Sequence, residues 1–345
     1  MKVIILAGGK GTRLWPLCKE SYPKQFARLF PDENKHSLFQ STYKRAVRLA
    51  SIDNIYVVTN INYKSIVMEQ LGALSDGFKE ENIICETVGK NTLPAILYGV
   101  KEACKDNADN VIVFPSDHKI ERKDEMIDII RSTEELSLNS IVTFGMTPDK
   151  PSTEYGYIEP GEKILNGYKV LNFREKPNRE NAEKFINLGY LWNSGIFMFN
   201  SKVFMDEAKA HCPDIYNAII ENDSIDDCYS KIGEDTSIDY GIMEKTSRAS
   251  VVPMNVGWSD LGGFEAFFTA FECDKNNNLC REDVIIENSR NNLVISEHTK
   301  KVVLIGIDDI IAVERNGVLM LCKREESHKI KGVVEKLKKE NSDLL

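Results

Sequence analysis

The sequence predicts an α/β fold: a mixed, mainly parallel sheet covered on both faces, followed by a small separate β domain. Three observations predict it. Continuous apolar runs of strand length alternate with helical stretches through the first half of the chain, the pattern of strands buried on both faces. Those runs end in "LAGGKG", "PSDH" and "GM", at the carboxyl ends where such sheets hold their ligands. After about Asp274, helices give way to short β runs spaced by Asn, Gly and Asp, the residues of tight turns.

In chain order, "KVIILA" (2–7) is the first strand, followed by a glycine-rich loop and a helical stretch, "SLFQSTYKRAVRLA" (37–50). "NIYVVTN" (54–60) is the second strand; a helical pattern runs on to about Leu74, and "NIICE" (82–86) is the third strand. "TLPAILYGVKEACK" (92–105) reads as a helix with Pro94 in its first turn, where the missing N–H has no partner to lose. "NVIVFPSDH" (110–118) and "SIVTFGM" (140–146) are two more buried strands. The β-rich middle, "YGYIEPG", "YKVLNFREKP" and "GIFMFN", is expected to be an antiparallel insertion near the sheet edge. "SVVPMNVGWSDLGGFEAFF" (250–268) returns to a strand and then a helix. "DVIIENS", "NLVISEH", "KVVLIGIDDIIAVERNG" and "VLMLCKR" form the β domain, with an irregular repeat. It closes in the lysine-rich helix "REESHKIKGVVEKLKKEN" (324–341), whose charges are expected on a solvated face. The domain boundaries read as 1–270 and 271–345.

The 345 residues are 42% apolar with a mean hydropathy of -0.30, an ordinary soluble composition. No apolar run approaches the roughly 18 residues that span a bilayer, and Met1-Lys2 leads straight into a strand, so neither a membrane partner nor a secretory leader is expected. The net charge of -9 argues against nucleic acid, whose phosphate backbone needs a basic face. The eight cysteines are scattered without a C-x-x-C pair, and the five histidines show no metal-ligand spacing. Free thiols in a reducing cytoplasm are expected.

The loop "LAGGKGTRLWP" (6–16) puts backbone freedom and positive charge directly after a strand. Gly8, Gly9 and Gly11 allow conformations closed to other residues and turn N–H groups inward, forming an anion-binding concavity. Lys10 and Arg13 add charge, and Arg13 can grip a phosphate with two parallel bonds. The anion this suits is a phosphate chain; a plain tight turn is the alternative. Gly11 is followed by Thr12, so a Walker A loop is excluded. The position three after Gly11 is Leu14 and the second strand ends at Asn60, which counts against a dinucleotide fingerprint and an NAD-dependent oxidoreductase.

With "YPKQF" (22–26) following it, this loop resembles the signature of the sugar-nucleotide pyrophosphorylases, and within them the mannose-1-phosphate guanylyltransferases. The resemblance continues in order through "VGKNTLPAI" (88–96), "FPSDH" (114–118), "TEYGYIEPG" (153–161), "FREKP" (173–177), "WNSGIF" (192–197), "SIDYGIMEK" (237–245) and "GWSDLGGF" (257–264). It implies a Rossmann-like nucleotidyltransferase domain over 1–270, a short left-handed β-helix at the C-terminus, and a homodimer. It also implies the reaction: mannose 1-phosphate attacks the α-phosphorus of GTP, giving GDP-mannose and pyrophosphate. Two anions must meet, so N–H groups, cations and metal are required, and no covalent intermediate is needed.

By the same resemblance, Asp117 and Asp260 hold Mg²⁺, consistent with the one or two carboxylates magnesium takes alongside phosphate oxygens. Arg13 binds the triphosphate and Lys24 lies at the reacting phosphates. Leu6, Ala7, Gly8, Gly9, Gly11 and Thr12 bind the nucleotide, with Asn91 and Thr92 along the base edge. Lys176 holds the sugar phosphate; Gly156, Glu175, Asn193 and Asp239 surround the sugar. The alternatives for single residues are structural: a strand-end Asp caps a turn or helix, Asn91-Thr92 starts a helix, and Asp239 caps one starting at Tyr240.

The chain departs from the family pattern at Lys90, Leu93, Glu154 and Gly263-Phe264. Leu93 and Glu154 bear on the base and sugar pockets, which leaves another nucleotide, or a glucose or heptose 1-phosphate, as the alternative. A catalytically inactive regulatory relative is a further alternative, against which Arg13, Lys24, Asp117 and Asp260 all stand. The length and the lack of a histidine cluster near the end lead to the expectation of no isomerase activity.

Overall fold

The first apolar run folds as β1 (Lys2–Leu6), with Val3, Ile4 and Ile5 wholly buried. β2 (Ile55–Asn60) and β3 (Ile83–Glu86) extend the sheet in parallel on one side, and β4 (Asn110–Pro115) pairs in parallel on the other. The computed structural model describes residues 1–29, 36–74, 77–105, 107–280, 284–297, 301–340, 342 and 344. Positions 283, 298 and 341, at the ends of expected strands and of the last helix, lie outside the described residues. The chain divides into two units. Unit 1 is Met1–Gly8, Gln40–Ser116 and Ile120–Trp258; unit 2 is Gly9–Phe39, Asp117–Lys119 and Ser259–Leu345.

After a two-residue strand, β5 (Lys119–Ile120), come β6 (Ile141–Met146), β7 (Tyr157–Ile164), β8 (Gly167–Arg174), β9 (Leu191–Asn200) and β10 (Ala249–Pro253). The sheet order is β3-β2-β1-β4-β9-β6-β10-β8-β7. β7 and β8 lie at the edge as the sequence predicts. β9 does not: "GIFMFN" runs antiparallel between β4 and β6, in the middle of the sheet. Its residues Ile196–Phe199 are buried, and a strand apolar on both faces belongs in a sheet centre.

The helices of unit 1 follow the strands: α1 (Leu38–Ala46), α2 (Lys64–Gly72), α3 (Thr92–Ala103), α4 (Lys123–Ser132), α5 (Glu134–Ser137), α6 (Arg179–Asn187), α7 (Ser201–His211), α8 (Pro213–Ile220) and α9 (Ile225–Ser230). α3, α7, α8 and α9 share one core with the sheet through Leu93, Ile96, Phe204, Ile219 and Cys228. No helix among the described residues is long and apolar enough to cross a membrane.

Unit 2 carries β11 (Trp258–Ser259) from its second residue, α10 (Glu265–Ala270) and β12 (Leu279–Cys280). β13 (Val284–Glu287), β14 (Leu293–Ser296), β15 (Val302–Ile305), β16 (Ile310–Arg315), β17 (Val318–Lys323) and α11 (Ile330–Lys339) follow. β12-β14-β16 and β13-β15 pair in parallel in two separate sheets, the winding of a β-helix. An 18-residue rung recurs within it: Ile307 N–H donates to Ser289 and Ile310 N–H to Asn292, each 18 residues back. Buried Asn278 and Asn292 stack inside, the Asn292 amide donating to Asn278 Oδ1 (3.0 Å) and the Ile307 carbonyl (2.8 Å). Whereas the sequence reading divides the chain near residue 270, the core of unit 2 joins Leu14, Trp15, Leu17 and Leu29 to Phe264, Phe267, Ile311, Ile330 and Val334.

Candidate functional site

In unit 2, the chain from Gly9 to Phe26 folds back on itself. Gly11 has φ +60°, and a Cβ there would lie 2.7 Å from Lys24 Cβ and 2.9 Å from its backbone nitrogen. Gly11 therefore meets two demands that only glycine meets, a left-handed backbone and close approach. Gly8 and Gly9 do not adopt positive φ; the expectation that all three glycines take conformations closed to other residues holds for Gly11 alone. Arg13 is exposed in the short turn Thr12–Leu14, and Gln25 ties the loop by donating to the Gly9 carbonyl (2.8 Å).

Lys24, Asp117 and Asp260 come together in this unit. The Lys24 ammonium is buried; it pairs with Asp117 Oδ2 at 2.6 Å and donates to the Asp260 carbonyl at 2.5 Å. Burial works against a charged Asp117, but the Lys24 ammonium, followed by His118, holds its carboxyl below the usual range. The Asp260 carboxylate accepts from Gly262 N–H at 3.1 Å, and a Cβ at Gly262 would lie 2.7 Å from Asp260 Oδ2. No group of three or more His, Cys, Asp or Glu residues that could hold a metal occurs among the described residues. Asp117 meets the buried ammonium with its carboxylate and Asp260 with its carbonyl; carboxylate oxygens of two such residues are the hard donors that magnesium takes alongside phosphate oxygens.

In unit 1, a second group converges. Because β9 runs against β4 and β6, its first residues lie at their carboxyl ends, with Asn193 opposite Gly145. That is why a residue near the start of a strand reaches the ligand end of the sheet. Thr143 donates to Asn193 Oδ1 (2.8 Å) and the Asn193 amide donates to Asp239 Oδ1 (2.9 Å), which fixes the amide orientation. Gly156 accepts from Asn193 N–H (2.8 Å) and leaves no room for a side chain: a Cβ would lie 2.4 Å from Glu175 Oε2. Glu175 is held by Lys176 Nζ (2.5 Å), and its N–H donates to Glu244 (3.2 Å). Burial, then the charge of Glu175, pushes the Asp239 carboxyl upward. Asp239 opens a π-turn, Asp239–Met243, whose cap position is Ile238, and Ser237 accepts from Tyr240 N–H.

Leu6 ends β1, paired with Val58 and Pro115, and the chain leaves the sheet through Ala7 and Gly8. Ala7 is bound into the sheet, donating to the Val58 carbonyl (2.7 Å) and accepting from Thr59 (3.0 Å). Asn91 caps α3 at φ +69°, accepting from Thr92 N–H, and Thr92 accepts from Ile238 N–H (3.0 Å). Sequence reasoning missed Glu86. Its buried carboxylate ends β3, accepts from Tyr229 O–H at 2.8 Å, and lies 3.1 Å from where a Gly8 Cβ would stand. Burial pushes it up to about 7 despite the tyrosine bond. An acid closing the apolar run "NIIC" was the signal. Of the departures, Leu93 is wholly buried core, Glu154 is exposed, nothing lies within 4 Å of a Gly263 Cβ, and Phe264 is buried in the core of unit 2.

Residues 2–277 match the family model described as Nucleotidyl transferase. The chain belongs to the nucleotidyl transferase family. Residues 282–337 of this nucleotidyl transferase match the MannoseP isomerase/GMP-like beta-helix domain. It is 36% identical over 358 residues to mannose-1-phosphate guanylyltransferase 2 of Escherichia coli O157:H7, covering 97% of this chain and 73% of the relative. It is also 36% identical to alginate biosynthesis protein AlgA of Pseudomonas putida, over 97% of this chain and 71% of that one. Among solved structures, one described as mannose-1-phosphate geranyltransferase from Thermus thermophilus superimposes with a TM-score of 0.88 at 26% identity, covering 98% of this chain and 99% of the other.

Proposed function

We propose that this nucleotidyl transferase is a mannose-1-phosphate guanylyltransferase, joining mannose 1-phosphate to the α-phosphorus of GTP and releasing pyrophosphate and GDP-mannose. The observation that carries the reading is the Lys24 cluster, a buried ammonium shared by Asp117 and the Asp260 carbonyl behind a glycine turn. Phosphoryl and nucleotidyl transfers are catalysed by positioned cations and N–H donors aimed at developing charge. Asp117 and Asp260 would hold Mg²⁺, which supplies Lewis-acid polarisation of the α-phosphate when bound. Lys24 lends its charge at the reacting phosphates, and Arg13, with Gly9, Gly11 and Thr12, takes the triphosphate. The attacking phosphate is already ionised, so the chain needs no general base.

On the sugar side, Lys176 takes the phosphate of mannose 1-phosphate. Asn193, oriented by Thr143 and Asp239, and Glu175 bond the hydroxyls, and Gly156 lets the backbone approach. On the base side, Gly8, Asn91 and Thr92 frame the purine. Glu86 favours guanine, whose adjacent N1–H and N2–H donors match the two oxygens of one carboxylate. Adenine and the pyrimidines of nucleotides lack that neighbouring donor pair. The eight free cysteines fit a reducing cytoplasm. Exposed Ile285, Val303 and Ile305 on β13 and β15, and Leu319 and Leu321 on β17, support a homodimer formed through the β-helix.

The test is pyrophosphate release with Mg²⁺, four nucleoside triphosphates and a panel of sugar 1-phosphates. GTP with mannose 1-phosphate is expected to be the best pair. A different best pair would keep the chemistry and overturn the substrate assignment. Folded protein that releases no pyrophosphate with any pair would favour a regulatory relative.

A further inference from the structure

The base-side turn and the sugar-side carboxylate Asp239 are bolted together inside unit 1. Leu93 N–H donates to the Thr236 carbonyl (3.1 Å), Thr236 N–H to the Lys90 carbonyl (3.3 Å), and Ile238 N–H to the Thr92 hydroxyl (3.0 Å). Asp239 is the next residue in the chain. It opens the π-turn Asp239–Met243, an uncommon element that recurs at functional sites. Gly241 sits at the centre of that turn, fully enclosed. A Cβ there would lie 2.6 Å from Leu93 Cδ2, 3.1 Å from Thr236 Cγ2 and 3.2 Å from Cys212 Sγ. Cys212 also donates to the Gly241 carbonyl at 3.3 Å. Leu93 has no exposed surface, so its δ-methyl has no empty space to swing into. Leu93, Thr236 and Cys212 therefore bound the space into which a side chain at Gly241 would project, and Leu93 is the tightest of them.

We propose that Leu93 and Gly241 are a size-matched pair that fixes the placement of the Asp239 carboxylate, making Leu93 a positioning residue for the sugar 1-phosphate. The inference rests on the sugar-side reading of Asp239 and deepens it. A change of one methyl group at either position displaces the π-turn by a few tenths of an ångström. Asp239 and the Asn193 amide it accepts from then shift against the substrate hydroxyls. A misplacement of about 1 Å at a positioning group costs about 100-fold, and a shift of a few tenths of an ångström costs correspondingly less. The flagged departure at Leu93 acquires a role: its side chain fills core space and acts on the pocket through Gly241, without touching the substrate.

The experiment is a size swap read by steady-state kinetics: wild type, Gly241→Ala, Leu93→Val and the double variant, each with GTP and mannose 1-phosphate. Gly241→Ala is expected to raise the mannose 1-phosphate KM about tenfold or more while leaving the GTP KM within about threefold. Leu93→Val, which keeps the core filled apart from one methylene, is expected to raise the sugar-phosphate KM by a smaller factor. The double variant is expected to return to within about threefold of wild type, because the added methyl enters the space vacated. A merely structural role would instead lower the melting temperature and the active fraction, with both KM values unchanged and no rescue; that result overturns the proposal. So does a Gly241→Ala enzyme with wild-type kinetics. Should Gly241→Ala fail to fold, an unchanged sugar-phosphate KM in Leu93→Val overturns it equally. Wild-type protein that turns over no sugar 1-phosphate would overturn the functional reading and this inference with it.

Discussion

Lys24 shows how one side chain serves structure and chemistry together. Its ammonium is buried, and a buried charge persists only when paired and bonded; Asp117 and the Asp260 carbonyl meet that need. Under the proposed function the same residues would meet a phosphate anion and a divalent ion. Asp117→Asn and Asp260→Asn are each expected to lower turnover at least about 1000-fold with an unchanged circular dichroism spectrum. Pyrophosphate release checks this, and near-wild-type rates in either variant would remove the metal assignment. Glu86 makes a prediction of opposite sign for stability and function. Its carboxyl, pushed up to about 7 by burial, is neutral below that pH in the free protein and cannot accept two donors from guanine. The GTP KM is expected to rise as the pH falls below about 7. Glu86→Gln should flatten that dependence while raising the GTP KM. It should also raise the melting temperature at pH 8, because an ionised carboxylate held in a desolvated place costs stability. Tyr229 is the titratable group that faces it, and burial and the carboxylate beside it keep the phenol protonated through this range. The grouping of Lys24, Asp117 and Asp260 was legible because these residues stand in short motifs. Glu86 was not, because a single acid after four apolar residues looks like the end of a strand until the fold sets it beside Gly8.

At the level of elements, the alternation of strand and helix in the first half was readable, since continuous apolar runs have few other homes. The position of β9 was not. Periodicity reports burial, and a strand buried on both faces reads the same whether parallel or reversed. Its reversal is what delivers Asn193 to the ligand end of the sheet. The β-helix was expected from the resemblance, and the family model bears it out, but its 18-residue rung was not read. The 18-residue repeat lies in the pairings Val284 with Val302 and Leu293 with Ile311, and in left-handed turn residues such as Asn291 and Asp309. It is masked by the shorter step from Leu279 to Leu293. The rung rests on its asparagines. Asn292→Ala removes the donor to Ile307 and the acceptor of Ile310 N–H inside a buried stack, stranding buried backbone groups. It is expected to destabilise unit 2 by about 2–4 kcal/mol, measurable as a lowered unfolding midpoint; a loss under about 0.5 kcal/mol would show that the stack bears little of the fold.

For the whole molecule, the family models meet between residues 277 and 282, but the packing does not divide there. The core of unit 2 needs both Leu14–Leu29 and Leu279–Val334. A fragment ending at Asn277 is expected to keep the nine-stranded sheet of unit 1 and to release no pyrophosphate. Leu14, Trp15, Phe264 and Phe267 would lose the partners that bury them, so it should also bind a hydrophobic dye such as ANS. A fragment with wild-type turnover would refute this assignment of the core. The sequence reading drew its boundary where composition changes, and composition does not record which early segment a late one will pack against.

The chain passes between the two units five times, and synthesis meets those passages in a fixed order. All the strands of the large sheet have been made by Pro253, so that sheet can pair while the ribosome is still working. The segment after Gly8 must wait, because the core that holds Leu14 and Trp15 includes Val334. The glycine loop, made among the first residues, is among the last to be fixed. A nascent chain or one cut short is thus expected to carry the sheet without a finished loop, because the core around Leu14 and Trp15 closes only with Val334.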